Sequence, residues 1–144
     1  MLKQEFTGPR RPEIVSSLAG VAEEVVASMH GMTGMAFKGA LKAAKSVRAD
    51  AVPVAIDRVL PQIADTLAPH WEGYVAAGKA GGFGEYLKNH ERQVTDSLLG
   101  IADGQQDKMP DAARKIYGSL RKRAQGAAAG ALVPLGQAVE RFMP

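Results

Sequence analysis

The chain has 144 residues, no cysteine, 46% apolar residues and a formal net charge of +3. That length suits one domain with a modest core, and the missing thiols exclude disulfides, thiolate nucleophiles and zinc–thiolate sites. Charge is segregated: residues 1–49 carry seven bases against four acids, residues 50–103 four against eight, and residues 104–144 seven against three. This basic–acidic–basic order predicts either a polarised surface or an acidic middle that faces the basic ends.

The first segment, Met1 to Phe6, is charged and lacks an apolar run, which argues against a signal peptide. Residues 1–11 are read as a candidate flexible lead-in. Pro12 then suits the first turn of a helix, where its missing N–H costs nothing. Ile14, Val15, Leu18, Val21, Ala22, Val25 and Met29 follow at three- and four-residue spacing, and Gly31 offers a C-terminal cap. A second helix is expected from Thr33, a good N-cap, to about Asp50, with Met35, Phe37, Leu41, Ala44 and Val47 as its apolar contacts.

Pro53, Pro61 and Pro69 recur every eight residues, so residues 53–77 are expected as two or three bent helical segments. Gly78-Lys79-Ala80-Gly81-Gly82-Phe83-Gly84 reads as a loop, followed by one short turn at Glu85-Tyr86-Leu87. Asn89 is a candidate cap for a helix with Val94, Leu98 and Ile101 on its buried side. Asp103 to Lys108 reads as a polar loop, and Pro110-Asp111 opens a last helix that Pro134 ends or kinks. The longest uncharged run, Ala124 to Val139, is Ala/Gly-rich and shorter than the about 20 strongly apolar residues that a bilayer requires. No alternating β-branched run with hairpin turns is present. The fold expected is all-α: one compact domain over 1–144 with six to eight helical segments, several started or kinked at prolines.

His30, His70 and His90 lie far apart and none sits in a metal-ligand spacing, so surface or cap roles are expected. Asp65 and Glu72 would align on a continuous helix, but Pro69 between them argues against a carboxylate pair. There is no G-x-S-x-G or S-x-x-K nucleophile motif. The glycine loop departs from the phosphate-loop pattern because its lysine follows the first glycine and a helix precedes it. No metal, cofactor or catalytic constellation is therefore expected.

Two features remain. Trp71, Tyr74, Phe83 and Tyr86 lie within sixteen residues and frame the glycine loop. They either pin that loop to a core or wall a hydrophobic pocket. Lys38, Lys42, Lys45 and Arg48 share one helix face with no intervening acid, and Arg121 and Lys122 belong to a second basic cluster. These are candidates for an anionic surface. Few aromatics interleave with them, which disfavours single-stranded nucleic-acid binding.

From Val52 to Phe142 the chain resembles an actinobacterial family of small helical proteins of unknown function. The resemblance rests on Val52-Pro53, Ile56-Asp57, Leu60-Pro61, Trp71 to Val75, Gly82-Phe83-Gly84-Glu85-Tyr86-Leu87, Ser97-Leu98-Leu99 and Tyr117-Gly118-Ser119-Leu120. It implies a cytoplasmic protein of a high-GC bacterium and assigns no activity or site residue. The expected function is a non-enzymatic interaction module whose partner is another protein or a second copy of the chain. The alternatives are a peripheral lipid or granule surface bound through the basic helix face, and non-specific nucleic-acid binding.

Overall fold

The computed structural model describes residues 2–144. It contains α1 (Leu2–Thr7), α2 (Arg11–Ala27), α3 (Gly31–Val47), α4 (Ala51–Ala76), α5 (Phe83–Asn89), α6 (Glu91–Asp103), a 3-10 turn (Gln106–Lys108) and α7 (Asp111–Glu140). No strand occurs among the described residues. The all-α expectation is met.

The core is a layer of α2, α4 and α7 with α1, α5 and α6 packed onto it. Pro12 lies in the first turn of α2, which buries Ile14, Val15, Leu18 and Ala19. In α1, Leu2 and Phe6 are fully buried against this core. Helix α3 is different: it buries only Gly34.

Helix α4 corrects the proline reading. It is one continuous helix of 26 residues with Pro61 and Pro69 inside it. Its buried residues, Leu60, Ala64, Leu67, Trp71 and Tyr74, alternate four- and three-residue steps, so one apolar seam runs past both prolines. Pro61 and Pro69 themselves are exposed. Each removes one backbone hydrogen bond on the solvent side, where an orphaned carbonyl can find another donor. At Pro61 that donor is a side chain. The Asp57 carbonyl, four residues upstream, accepts a 2.8 Å bond from Arg11 Nη2 of α2. The same guanidinium holds the Asp57 carboxylate at 2.8 Å. Pro53 stands in the first turn, where no bond is lost. Pro134 likewise lies inside α7, which continues to Glu140.

Several boundaries also move. Ser28 closes α2, and α3 starts at Gly31 with His30 as its N-cap, so Thr33 falls inside the first turn. Asn89 ends α5, while His90 serves as both the C-cap of α5 and the N-cap of α6. Met35 and Val47, expected as apolar contacts of α3, are 75% and 89% exposed.

The most extensive helix pair is the short α5 lying across the C-terminal half of α7. Their backbones touch. A Cβ on Gly136 would sit 2.4 Å from the Gly84 Cα, and one on Gly84 would sit 2.6 Å from the Val133 carbonyl oxygen. Neither backbone can give way without moving a helix. Gly136→Ala is therefore expected to cost about 1–3 kcal/mol or more through overpacking. Gly126, in the same helix, has open space where a Cβ would go. Gly126→Ala should instead stabilise by about 0.5–1 kcal/mol. Urea denaturation of both variants checks this, and equal stability of Gly136→Ala and wild type would contradict it.

Candidate functional site

The basic face of α3 is only partly available. Lys45 is ion-paired with Glu23 of α2, and Arg48 with Asp50 just past the helix. The hydrogen bond and charge of Arg48 lower the pKa of the Asp50 carboxyl. Lys38 and Lys42 are exposed and have no carboxylate partner among the described residues. Together with Lys45, Glu23, Glu24, Val26, Ala27 and Leu41 they line an open groove of about 720 Å³ between α2 and α3. Toward the N-terminus of the same outward face stand Met32 and Met35, 77% and 75% exposed. The spacing 32, 35, 38, 42 keeps two thioethers and two ammonium groups on one side of the helix. The lysines follow from their spacing, whereas Met35, expected as an apolar contact, is exposed to solvent.

The second basic cluster is also partly committed. Arg121 Nε and Nη2 hold the two Asp103 oxygens at 2.9 and 3.1 Å. Tyr117 donates its hydroxyl hydrogen to the same carboxylate. These bonds, Arg121 first and Tyr117 second, lower the Asp103 pKa. This triad ties α6 to α7. Lys122 is exposed and lacks an ion-pair partner among the described residues. The acidic middle thus faces the basic ends at Asp57, Asp65 and Asp103, paired with Arg11, Lys3 and Arg121.

The aromatic candidates form a core that pins the loop. Trp71, Tyr74 and Phe83 are buried, with Phe83 edge-on to Trp71 at 5.0 Å between ring centroids. Tyr86 is half-buried against Tyr74 at 5.7 Å. The intervening loop turns left-handed at Gly78, Lys79, Gly81 and Gly82. Lys79 Nζ lies 5.4 Å over the Trp71 ring, and the Lys79 carbonyl oxygen stands 3.2 Å from the Tyr74 hydroxyl. Glu140, at the end of α7, closes the arrangement. Its Oε2 accepts from the Tyr74 hydroxyl at 2.6 Å, and its Oε1 accepts from the Phe83 N–H at 3.0 Å. A carboxylate at the first turn of α5 satisfies a donor that the helix itself leaves open.

Two features escape sequence reading. His70 and His90, twenty residues apart, meet beside Tyr86 in a polar cleft of about 460 Å³ that Thr66, Gln93 and Ser97 also line. A separate apolar groove of about 430 Å³ runs between α4 and α6, lined by Ile56, Val59, Ile63, Leu98, Ile101 and Met109 among others. Each needs two helices in register, and spacing within one helix gives no signal for either.

Among the described residues, no helix is long and apolar enough to cross a membrane. The chain belongs to a family described as a family of unknown function (DUF6918), whose model matches residues 2–143. No curated protein and no solved structure matches it.

The tyrosine bonds have a measurable consequence. Burial first, and the Glu140 carboxylate second, push the Tyr74 hydroxyl up to about 12. Burial and Asp103 do the same for Tyr117, also to about 12. Unfolded tyrosine ionises near pH 10. Between about pH 10 and 12 the unfolded chain has therefore lost protons that the native state keeps, so stability falls as pH rises through that window. Tyr74→Phe should show a shallower fall than wild type in urea melts from pH 10 to 12. Parallel curves would contradict the assignment.

Proposed function

We propose that the protein is a non-enzymatic helical interaction module that docks another protein through α3. The observation that carries this reading is the composition of that helix. Of the seventeen residues of α3 only Gly34, which carries no side chain, is buried, while Met32 and Met35 stand exposed beside Lys38 and Lys42. Exposed methionines are flexible, polarisable contacts that adapt to an apolar partner face. Lysines beside them favour a partner segment that also carries carboxylates. The groove between α2 and α3 is open to solvent and has Val26, Ala27 and Leu41 among its walls. This suits an amphipathic helix laid alongside α3.

The lipid-surface alternative uses the same lysines but also needs an apolar element for shallow insertion. The uncharged 124–139 segment supplies less than its composition promises, because Leu132, Gly136, Ala138 and Val139 are buried in the core of α7 contacts. Nucleic-acid binding is weakened by the pairing of Lys45, Arg48 and Arg121 with carboxylates.

A displayed library of 15-residue peptides tests the proposal. Selected peptides should combine Asp or Glu with large apolar residues at helical spacing. Binding should weaken at least tenfold, about 1.4 kcal/mol, in the double variant Lys38→Glu/Lys42→Glu and also in Met32→Ser/Met35→Ser. Unchanged affinity in both variants would overturn the assignment to α3. Flotation of the wild-type protein with anionic liposomes, with no peptide selected, would replace the protein partner with a membrane.

A further inference from the structure

The histidine cleft is built more closely than a chance encounter of surface side chains. His70 projects from α4 and His90 joins α5 to α6, and their ring centroids lie 5.6 Å apart at 60°. Tyr86 holds both. Its ring stacks on His90 at 4.5 Å and 28°, and meets His70 edge-on at 6.5 Å. Tyr86 is itself seated by Gly73 of α4, where a Cβ would fall 2.3 Å from the phenol oxygen. The cleft is therefore fixed by backbone geometry on one side and ring stacking on the other.

The tautomer of His90 follows from its partner. His90 Nδ1 lies 2.9 Å from the Tyr86 carbonyl oxygen. A carbonyl only accepts, so Nδ1 carries the hydrogen, and in the neutral ring Nε2 keeps its lone pair. An imidazole that donates to a main-chain carbonyl through one nitrogen is the arrangement that orients a metal-binding histidine. His70 is held neutral more readily than a free histidine, because burial first and the charge of His90 second lower its pKa. Asp65 of the same cleft is engaged by Lys3 at 2.6 Å. Among the described residues no cluster of three or more His, Asp or Glu side chains converges.

We infer that His70 and His90 together chelate one divalent transition-metal ion, with water completing its coordination, and so clamp α4 to the α5–α6 junction. Two imidazole nitrogens select the borderline metals copper, nickel and zinc over magnesium and calcium, which take oxygen ligands. Copper should bind most tightly of the three. The effect on the fold follows by linkage, since an ion that binds only the native state raises its stability.

The test uses the full chain without a histidine tag. Titration with Cu²⁺, Ni²⁺, Zn²⁺ and Mg²⁺ is followed by calorimetry and by thermal unfolding. One ion per chain is expected for the first three and none for Mg²⁺. His70→Gln and His90→Gln should each weaken binding at least tenfold and abolish the rise in melting temperature. His30→Gln, which alters the exposed histidine at the start of α3, should change neither. In wild type, NMR signals of the His70 and His90 rings should shift together with Zn²⁺ while those of His30 stay fixed. This readout stands even if a variant folds poorly. Affinity equal to wild type in either single variant, ring signals that titrate independently, or no binding would overturn the inference.

Discussion

The close approach of α5 and α7 at Gly84 and Gly136 is the constraint on which the rest of the molecule depends. Seven residues cannot hold a helix in isolation, so α5 exists because it is pressed against α7. The contact is backbone on backbone, with no side chain between Gly84 and Gly136. It delivers Phe83 and Leu87 into the core, where both are fully buried. Glu140 then fixes the start of α5 by accepting the Phe83 N–H, and ties it to α4 by accepting from Tyr74. With α5 placed, Tyr86 reaches Gly73 of α4, and His90 follows at the end of the helix. One glycine crossing thus positions the aromatic core and the histidine cleft together.

Electrostatics do a different job. The paired acids and bases lie mostly between elements distant in sequence: Lys3 with Asp65, Arg11 with Asp57, Lys45 with Glu23 and Arg121 with Asp103. The side chains in these pairs are roughly a third to three-fifths exposed, so each adds little to stability. Their larger effect is on what the surface offers. Lys45–Glu23 and the local pair Arg48–Asp50 neutralise half of the basic face of α3, and Arg121 is held by Asp103, which leaves Lys38, Lys42 and Lys122 to present charge.

Much of the helical content was legible in the sequence because it rests on local signals. The seam of α2, the proline at its first turn and the glycine loop can all be read from spacing alone. The continuity of α4 could not. It depends on which side of the helix Pro61 and Pro69 fall, and on Arg11, fifty residues upstream of Pro61, supplying a donor to the Asp57 carbonyl. The glycine crossing was hidden for a similar reason: Gly84 looks like loop punctuation and Gly136 like one of many small residues in α7. The basic stripe of α3 was visible from its spacing. The pairing of Lys45 was not, because Glu23 belongs to another helix. His70 and His90 are separated by a loop and a helix, so only the placement of α5 brings them together.

The molecule divides into a core organised by the α5–α7 crossing and a peripheral α3 that buries only Gly34. Low burial and exposed hydrogen-bonded backbone mark segments that open locally. Native-state hydrogen exchange tests this division most directly. Amides of α3 should exchange through local opening, well below the free energy of global unfolding. Those of α4 around Leu67 to Tyr74 and of α7 around Leu132 to Val139 should exchange only with global unfolding. Protection of α3 equal to that of α4 would contradict the account.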